Sequence, residues 1–554
     1  GSGGSTMAGR KVLVAVVLAA CLAPGAMAEA GVGLPDNCGV PNGTSKPFPG
    51  GDGYPGTPYE IGNASDLAAI TGDLLDCAYV QIASFAVSSP WTPIGSETDA
   101  FRRIYDGAGF TISGLSVPAG DDYLGLFGVT QGATITNVTL TGVSITGDRF
   151  VGGLVGYAKD TTISNVRVSG AVKGNYEVGG IVGDLRGDAD RSLLEFGFSD
   201  VTVAGNSSPA TYVGGVAGYL YASTISVANS VGSVTGGNLV AGIVAGADST
   251  SLIAYARASG AVSGATNVGG IVGYLSYSNV RDSYATGTVS ASDDMVGGAV
   301  GYIEGTPAPS SPESLVSVAD LERTYATGAV STSGTAPQAV GGLVGYVDSN
   351  GTVASSHWST TANPTLAGIG LSDNSSQLAV AGSLLTTLQN IATYSDWTIR
   401  DGWAEFDTPT EVWGICDGVG TPYLLWEETE SPCGGDWTVT GFLPPVDMNT
   451  VLNVAQAGRV VPLMWRIVDG DGLPVSDPSS FVKIESSSWV CAMRTGTVED
   501  GVEKYVKFAD MRYLGSGRWQ ISWPTSKTWA GQCRTVTVEL SDGTTISADF
   551  KFRR

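Results

Sequence analysis

Through the middle of the chain, apolar β-branched positions alternate with small or polar ones. "TISNVRVSGAV" sets Ile163, Val166, Val168 and Val172 among Ser, Asn, Arg and Gly, and "SYATGTVSA" and "TYATGAVST" read the same way. A period near two in such residues predicts short strands. No 3.6-residue period runs through these stretches, and Gly is too frequent for helix interiors. Gly, Asn, Asp and Ser punctuate the strands as turns.

The pattern is also repeated. A degenerate first copy, "YLGLFGV", begins at Tyr123, and copies of the phrase "VGGLVGY" follow at Val151, Val178, Val213, Val240, Val268, Val296 and Val340. The spacings are 28, 27, 35, 27, 28, 28 and 44 residues, so a unit of 27–28 residues takes insertions in two places. The inserted stretches are read as residues 184–198 and 304–322. A period of this size predicts stacked units that bury their apolar faces only against their neighbours. The expected fold is all-β: a right-handed parallel β-helix of 27–28-residue rungs, followed by an Ig-like β-sandwich. The Gly pair in each copy implies positive φ at a corner or close approach of two backbones. Tyr157, Tyr219, Tyr274, Tyr302 and Tyr346 recur at one place in five copies. They predict an aromatic column, serving either corner stacking or carbohydrate contact.

The remaining segments frame the repeat. Residues 1–28 hold a short leading linker and then a signal-like stretch, with basic "MAGRK" from Met7 before apolar "VLVAVVLAA". "AMA" at Ala26–Ala28 suits signal cleavage, whereas "LAAC" at Leu18–Cys21 offers Cys21 for lipidation. Residues 29–58 read as a linker or cap, 59–122 as a lead-in, 123–360 as the repeat and 361–435 as an exit or C-terminal cap. In the lead-in, "ASDLAAITGDLL" is the best helix candidate, with Asp66 as its N-terminal carboxylate. Residues 436–554 show strands at steady spacing and form the expected sandwich.

The phrase V-G-G-[LIV]-V-G-Y, followed by "I-x-N-V/S" and "A-T-G-x-V", resembles the GLUG motif of bacterial surface proteins. "YEIGNASDLAAI", "WTPIG" and "YDGAGFTISGL" resemble the lead-in before such repeats, and "HWSTT" and "GTPYLLWEE" their exit. The resemblance covers about residues 55–430. It implies an extracellular repeat protein without naming an activity. "AGRVVPLMWRIVDGDG" with "WAGQCRTVTVEL" resembles the PxKF domain of secreted proteins. It departs at Leu463–Met464–Trp465, where that family carries a Lys.

Composition narrows the function. With 52 acidic against 28 basic residues, the net charge is −24, which argues against a nucleic-acid partner. Beyond the signal-like stretch there is no apolar run long enough for a transmembrane helix. Besides Cys21 there are six cysteines, an even number that reads as disulfides outside the cell. The domain layout favours the pairs Cys38–Cys77, Cys416–Cys433 and Cys491–Cys533.

No catalytic constellation stands out. A zinc peptidase needs two His on one helical face, and the chain has one His in total, His357. That residue lacks a G-x-S-x-G nucleophile to serve. A polysaccharide-active enzyme needs paired carboxylates on one face, for which Asp121, Asp122, Asp184, Asp188, Asp190, Glu195, Asp293 and Asp294 are candidates, with Arg186 or Arg191 as a lyase base. Acidic turns are the simpler reading. "RGD" at Arg186, Gly187 and Asp188 is either a solvated loop or a protein-binding tripeptide. "DGDG" at Asp469–Gly472 reads as a turn rather than a calcium loop. No cofactor or metal is expected. The sequence therefore predicts a secreted or surface-attached, adhesin-like rod that binds an extracellular glycan or protein without catalysis. The alternatives are a carbohydrate-active β-helix enzyme and a structural stalk.

Overall fold

The computed structural model describes Cys38 and residues 48–87, 90–118, 122–206, 211–305, 320–334, 338–374, 378–401, 412–418, 420–427, 438–448, 451–468, 474–475, 481–489, 491, 503–505, 511–540 and 544–554. Described residues through Glu427 form one compact unit, and those from Thr438 onward form a second.

The first unit is a parallel β-solenoid. Each copy of the phrase supplies three strands, which in the copy at Val151 are Val151–Gly152, Val155–Lys159 and Thr162–Gly174. Each pairs in parallel with its equivalent in the next copy, through Val151↔Val178, Val155↔Val182 and Thr162↔Leu193. Repetition of these pairings builds three sheets: a first face of seven short strands, a second face of nine, and a third face of long strands. The coil starts before the first copy of the phrase. Tyr59, Tyr79, Tyr105, Ile135 and Ile163 stack in register on the third face, all fully buried. Stacking like residues over like residues is how each rung completes a core that it cannot close alone.

The Gly pairs are explained by close approach. Neither Gly of the phrase has positive φ. A Cβ on Gly215 would lie 2.1 Å from the Gly242 carbonyl oxygen of the next rung and 2.3 Å from Ser230 Oγ across the interior. Gly180, Gly242, Gly270 and Gly298 repeat this geometry against Ser199, Ala258, Ala285 and Ala326. The interior is narrow here, so Gly faces Ser or Ala in these rungs, and Gly153 faces Val168. The column ends where Gly342 meets the indole of Trp358.

Positive φ recurs at several corners, and in every one of eight rungs at one bend of the third face. Asn137, Asn165, Phe196, Val227, Tyr255, Asp282, Arg323 and Ser355 stand there in eight successive rungs. Asn tolerates this conformation best, and two Asn begin the column. Asn165 donates to Asn137 at 2.7 Å, and Asn137 donates to Asp106 at 2.9 Å.

The insertions divide between two corners. The offset between rungs is 27 at Val155↔Val182, 31 at Thr162↔Leu193 and 35 at Val178↔Val213. The first extra residues therefore enter in two equal parts, one on each side of the third face. Most of the stretch 184–198, read as inserted, is regular strand that pairs with its neighbouring rungs. The second insertion opens at the same corners, with offsets of 28, 41 and 44 at Val272↔Val300, Val280↔Leu321 and Val296↔Val340. Residues 306–319 of it lie outside the described residues.

At the N-terminal end, the expected long helix is a five-residue α-helix, Ala64–Ala68, followed by a 3₁₀ turn at Gly72–Asp76. Gly72 has positive φ, which breaks the run. Asn63 caps the helix by accepting from Ser65 and Asp66 N–H, while Asp66 reaches back to accept from Gly62 N–H at 2.9 Å. This is a reciprocal capping arrangement. At the other end, Ile369–Ser372 and Leu378–Ser383 continue the second and third faces. The chain then turns back through Leu385–Leu388 and Ile391–Tyr394 into a three-stranded sheet of Ile399–Asp401, Trp413–Ile415 and Tyr423–Leu424. Leu388, Tyr394, Trp397, Trp413, Ile415 and Leu424 of this exit segment form a buried cluster with Tyr284 and Tyr325 of the third face.

The second unit contains two sheets. One joins Thr438–Thr440, Val460–Val468, Arg518–Pro524 and Met511–Gly515. The other joins Leu452–Gln456, Thr545–Arg553, Cys533–Leu540, Phe481–Trp489 and Glu503–Tyr505. All pairings are antiparallel except Leu452–Gln456 against Thr545–Arg553. Trp465, Trp519 and Trp523 from the first sheet share a core with Phe481, Val536 and Phe550 from the second. Disulfides join Cys38 to Cys77 and Cys491 to Cys533. Cys416 is also disulfide-bonded. Cys433, its expected partner, lies outside the described residues, as do Cys21, Asp121 and Asp469–Gly472.

Candidate functional site

The tyrosine column lies on the second face and is interrupted. Register runs Tyr157, Asp184, Tyr219, Gly246, Tyr274, Tyr302, Tyr346. Only the last three are consecutive, with ring centroids 5.2 and 5.1 Å apart. At Gly246 the absent side chain leaves room for the rings of Tyr212 and Tyr219. The hydroxyls are tied between rungs: Tyr219 donates to Asp248 at 3.3 Å, Tyr346 to Asp373 at 2.6 Å, and Tyr274 to Glu304. These contacts occupy the polar tips that a ligand would use.

Asp184 takes the column's second place and is fully buried. It pairs with Arg186 at 2.9 Å, and the Arg186 guanidinium also lies 4.7 Å from the ring of Tyr221. Burial pushes the Asp184 carboxyl up to about 6, against the opposite pull of Arg186. Burial also raises Glu177, whose charge is felt at Asp184. Asp184 Oδ1 and Glu177 Oε2 are buried with no hydrogen-bond partner among the described residues. Sequence reading passed over Glu177 because it stands in a different strand of the rung.

The RGD residues are held within the coil. Arg186 ends a second-face strand and faces Asp184. Gly187 packs its Cα where a Cβ would lie 2.5 Å from the Ala222 carbonyl oxygen. Asp188 pairs with Lys159 at 2.6 Å, which lowers its carboxyl, and its N–H donates to Asp160 at 2.7 Å. Arg191 crosses rungs to donate to the Thr250 carbonyl at 2.7 Å.

Other candidates are dispersed. Asp122 pairs with Arg149 at 2.8 Å. Asp294 accepts from Met295 N–H at 2.8 Å and from Ala339 N–H, fixing a corner. Glu195 is half-buried and raised by burial. His357 is buried beside Tyr394 and Trp397, at 4.9 and 5.7 Å between rings, and burial lowers its imidazole. Its Nδ1 makes no hydrogen bond among the described residues, so the orienting carboxylate of a Ser-His-Asp triad is missing.

The outer side of the third face carries the arrangement least visible in sequence. One outward column runs Thr139, Arg167, Phe198, Asn229, Arg257, Tyr284, Tyr325, His357. The exit segment covers its later half. Glu427 of that segment is buried, pairs with Arg257 at 2.7 Å, and accepts from Tyr284 Oη at 2.7 Å and Leu424 N–H at 2.9 Å. Trp413 Nε1 donates to buried Asp282 at 3.2 Å, which also holds Arg323 at 2.7 Å. The cover reaches Phe198, where Trp426 packs edge-on at 5.9 Å. Beside that edge lies a hollow of about 340 Å³, lined among others by Thr139, Arg167, Phe198, Asp200, Asn229 and Val231. Arg167 lies over the Phe198 ring at 4.1 Å.

Residues 264–290 match the family model described as the GLUG motif. Halomucin of Haloquadratum walsbyi (strain DSM 16790 / HBSQ001) is 37% identical over 151 residues, covering 24% of this chain and 2% of that protein. The chain thus spans a very small part of that relative. No solved structure matches the chain. No helix among the described residues is long and apolar enough to cross a membrane. The chain is a parallel β-solenoid protein that carries the GLUG motif.

Proposed function

We propose that the protein is an extracellular, surface-associated rod that binds a glycan or protein ligand in the manner of an adhesin, without catalysis. The observation that carries this reading is the uninterrupted parallel solenoid built from a repeat that contains the GLUG motif. Such an array supplies length and repeated surface. Likeness to part of Halomucin supports a surface setting, and the disulfides support an oxidising one. The coil is right-handed, as crossovers between parallel strands usually are. The second unit is an accessory Ig-like sandwich of the PxKF type, with Leu463–Met464–Trp465 where that family carries a Lys and an aromatic residue, and with Trp465 buried in its core. Against the enzyme reading, Asp122, Asp184 and Asp188 are each committed to an ion pair.

The test is to incubate the purified chain with a panel of polysaccharides and extracellular-matrix proteins, reading retention and ligand fragmentation together. Retention without fragmentation is the expected result. Fragmentation of a polysaccharide would overturn the non-catalytic reading. Absence of both would leave the rod as a stalk.

A further inference from the structure

We propose that the hollow on the third face is a binding site for a neutral saccharide. This rests on the binding reading above and names the site and the ligand class. The walls combine an aromatic ring, Phe198, with the hydroxyl of Thr139, the guanidinium of Arg167, the amide of Asn229 and the carboxylate of Asp200. Apolar area with a few convergent polar groups is the usual make-up of small-ligand sites, and about 340 Å³ is at the lower end of their size range.

The presence of both Arg167 and Asp200 in one lining favours hydroxyls over a charged group. A sugar hydroxyl donates and accepts, so it can serve both the Arg167 guanidinium and the Asp200 carboxylate that line the hollow, whereas a carboxylate or sulfate only accepts. Asp200 is exposed and forms none of the ion pairs found among the described residues, which leaves both its oxygens to accept from neighbouring hydroxyls and to repel an anion. The Arg167 guanidinium is drawn to the Phe198 ring at 4.1 Å, which keeps its donors at the hollow. From Thr139 to Phe198 the column crosses three rungs, about 10 Å at ~4.8 Å per rung, the length of two sugar rings. The exit segment closes one end of this track at Trp426.

The test is isothermal titration of the full chain with cellohexaose, chitohexaose, mannohexaose and, as the anionic arm, hexagalacturonate. The expected result is binding of at least one neutral hexamer, weakened tenfold or more by Asp200→Asn and by Asn229→Ala and unchanged by Tyr302→Phe. Asp200 is exposed, so its variant keeps the fold, which circular dichroism verifies. Binding of hexagalacturonate alone, lost in Arg167→Ala and retained in Asp200→Asn, would overturn the neutral class. Saccharide or matrix-protein binding that ignores every hollow variant would overturn this site while leaving the proposed function standing. No binding to anything in either panel would defeat both.

Discussion

At the scale of single residues, the coil is governed by what fits between rungs. The second Gly of each copy is the clearest case, because its missing Cβ is where the next rung's carbonyl lies. Gly215→Ala is expected to cost about 1–3 kcal/mol by overpacking, while Gly56→Ala, with open space around it, stays within about 0.5 kcal/mol. Urea unfolding of both variants checks this contrast. Asp184 gives a second prediction. Its carboxyl is raised from 3.8 to about 6, so the folded protein binds the proton more tightly than the unfolded chain. The associated stability is present at pH below 4 and is lost as pH rises through about 6. Asp184→Asn should remove that slope, worth at most about 3 kcal/mol at 1.36 kcal/mol per pKa unit. Melting temperatures of both proteins from pH 4 to 7 would show it. Parallel profiles would contradict the assignment.

At the scale of elements, the exit segment is locked by two buried carboxylates, its own Glu427 and Asp282 of the third face. Glu427→Gln keeps the shape but takes the charge from the Arg257 pair, and a loss of about 1–3 kcal/mol follows from hydrogen bonds to charged groups. Trp413→Ala removes a fully buried ring and a donor to Asp282, at about 3–5 kcal/mol. Hydrogen exchange should quicken across residues 385–427 in both variants, with the third-face strands less affected. Unchanged exchange would mean that the segment is held by other contacts. None of this was legible in the sequence. Glu427 and Arg257 stand 170 residues apart, and no periodicity links them. The strands themselves were legible because β-branched alternation repeats in every copy. The corners were only half legible: spacing revealed that residues were added but could not divide them between two turns.

At the scale of the whole first unit, repetition made the parallel solenoid readable and made its sites unreadable. A repeated residue draws attention, and the tyrosine column did so. Yet its rings and hydroxyls chiefly bind one rung to the next. The hollow was missed because Thr139, Arg167, Phe198 and Asn229 differ in every copy. They become neighbours only once the offsets of 28 and 31 residues are known. In a solenoid, identity from rung to rung marks scaffold, and a column of unlike outward residues marks a surface available for recognition.

The account rests on each copy being one rung in register with the next, and a disulfide ruler tests that most directly. Ser263, Ser290 and Ser331 are in register on successive rungs. Adjacent rungs lie ~4.8 Å apart, within disulfide reach, whereas alternate rungs at about 10 Å are beyond it. Ser263→Cys with Ser290→Cys should cross-link fully on mild oxidation, and Ser263→Cys with Ser331→Cys should not, as read by peptide mass spectrometry. Cross-linking of the second pair, or failure of the first, would contradict the stacked solenoid and every site built on it.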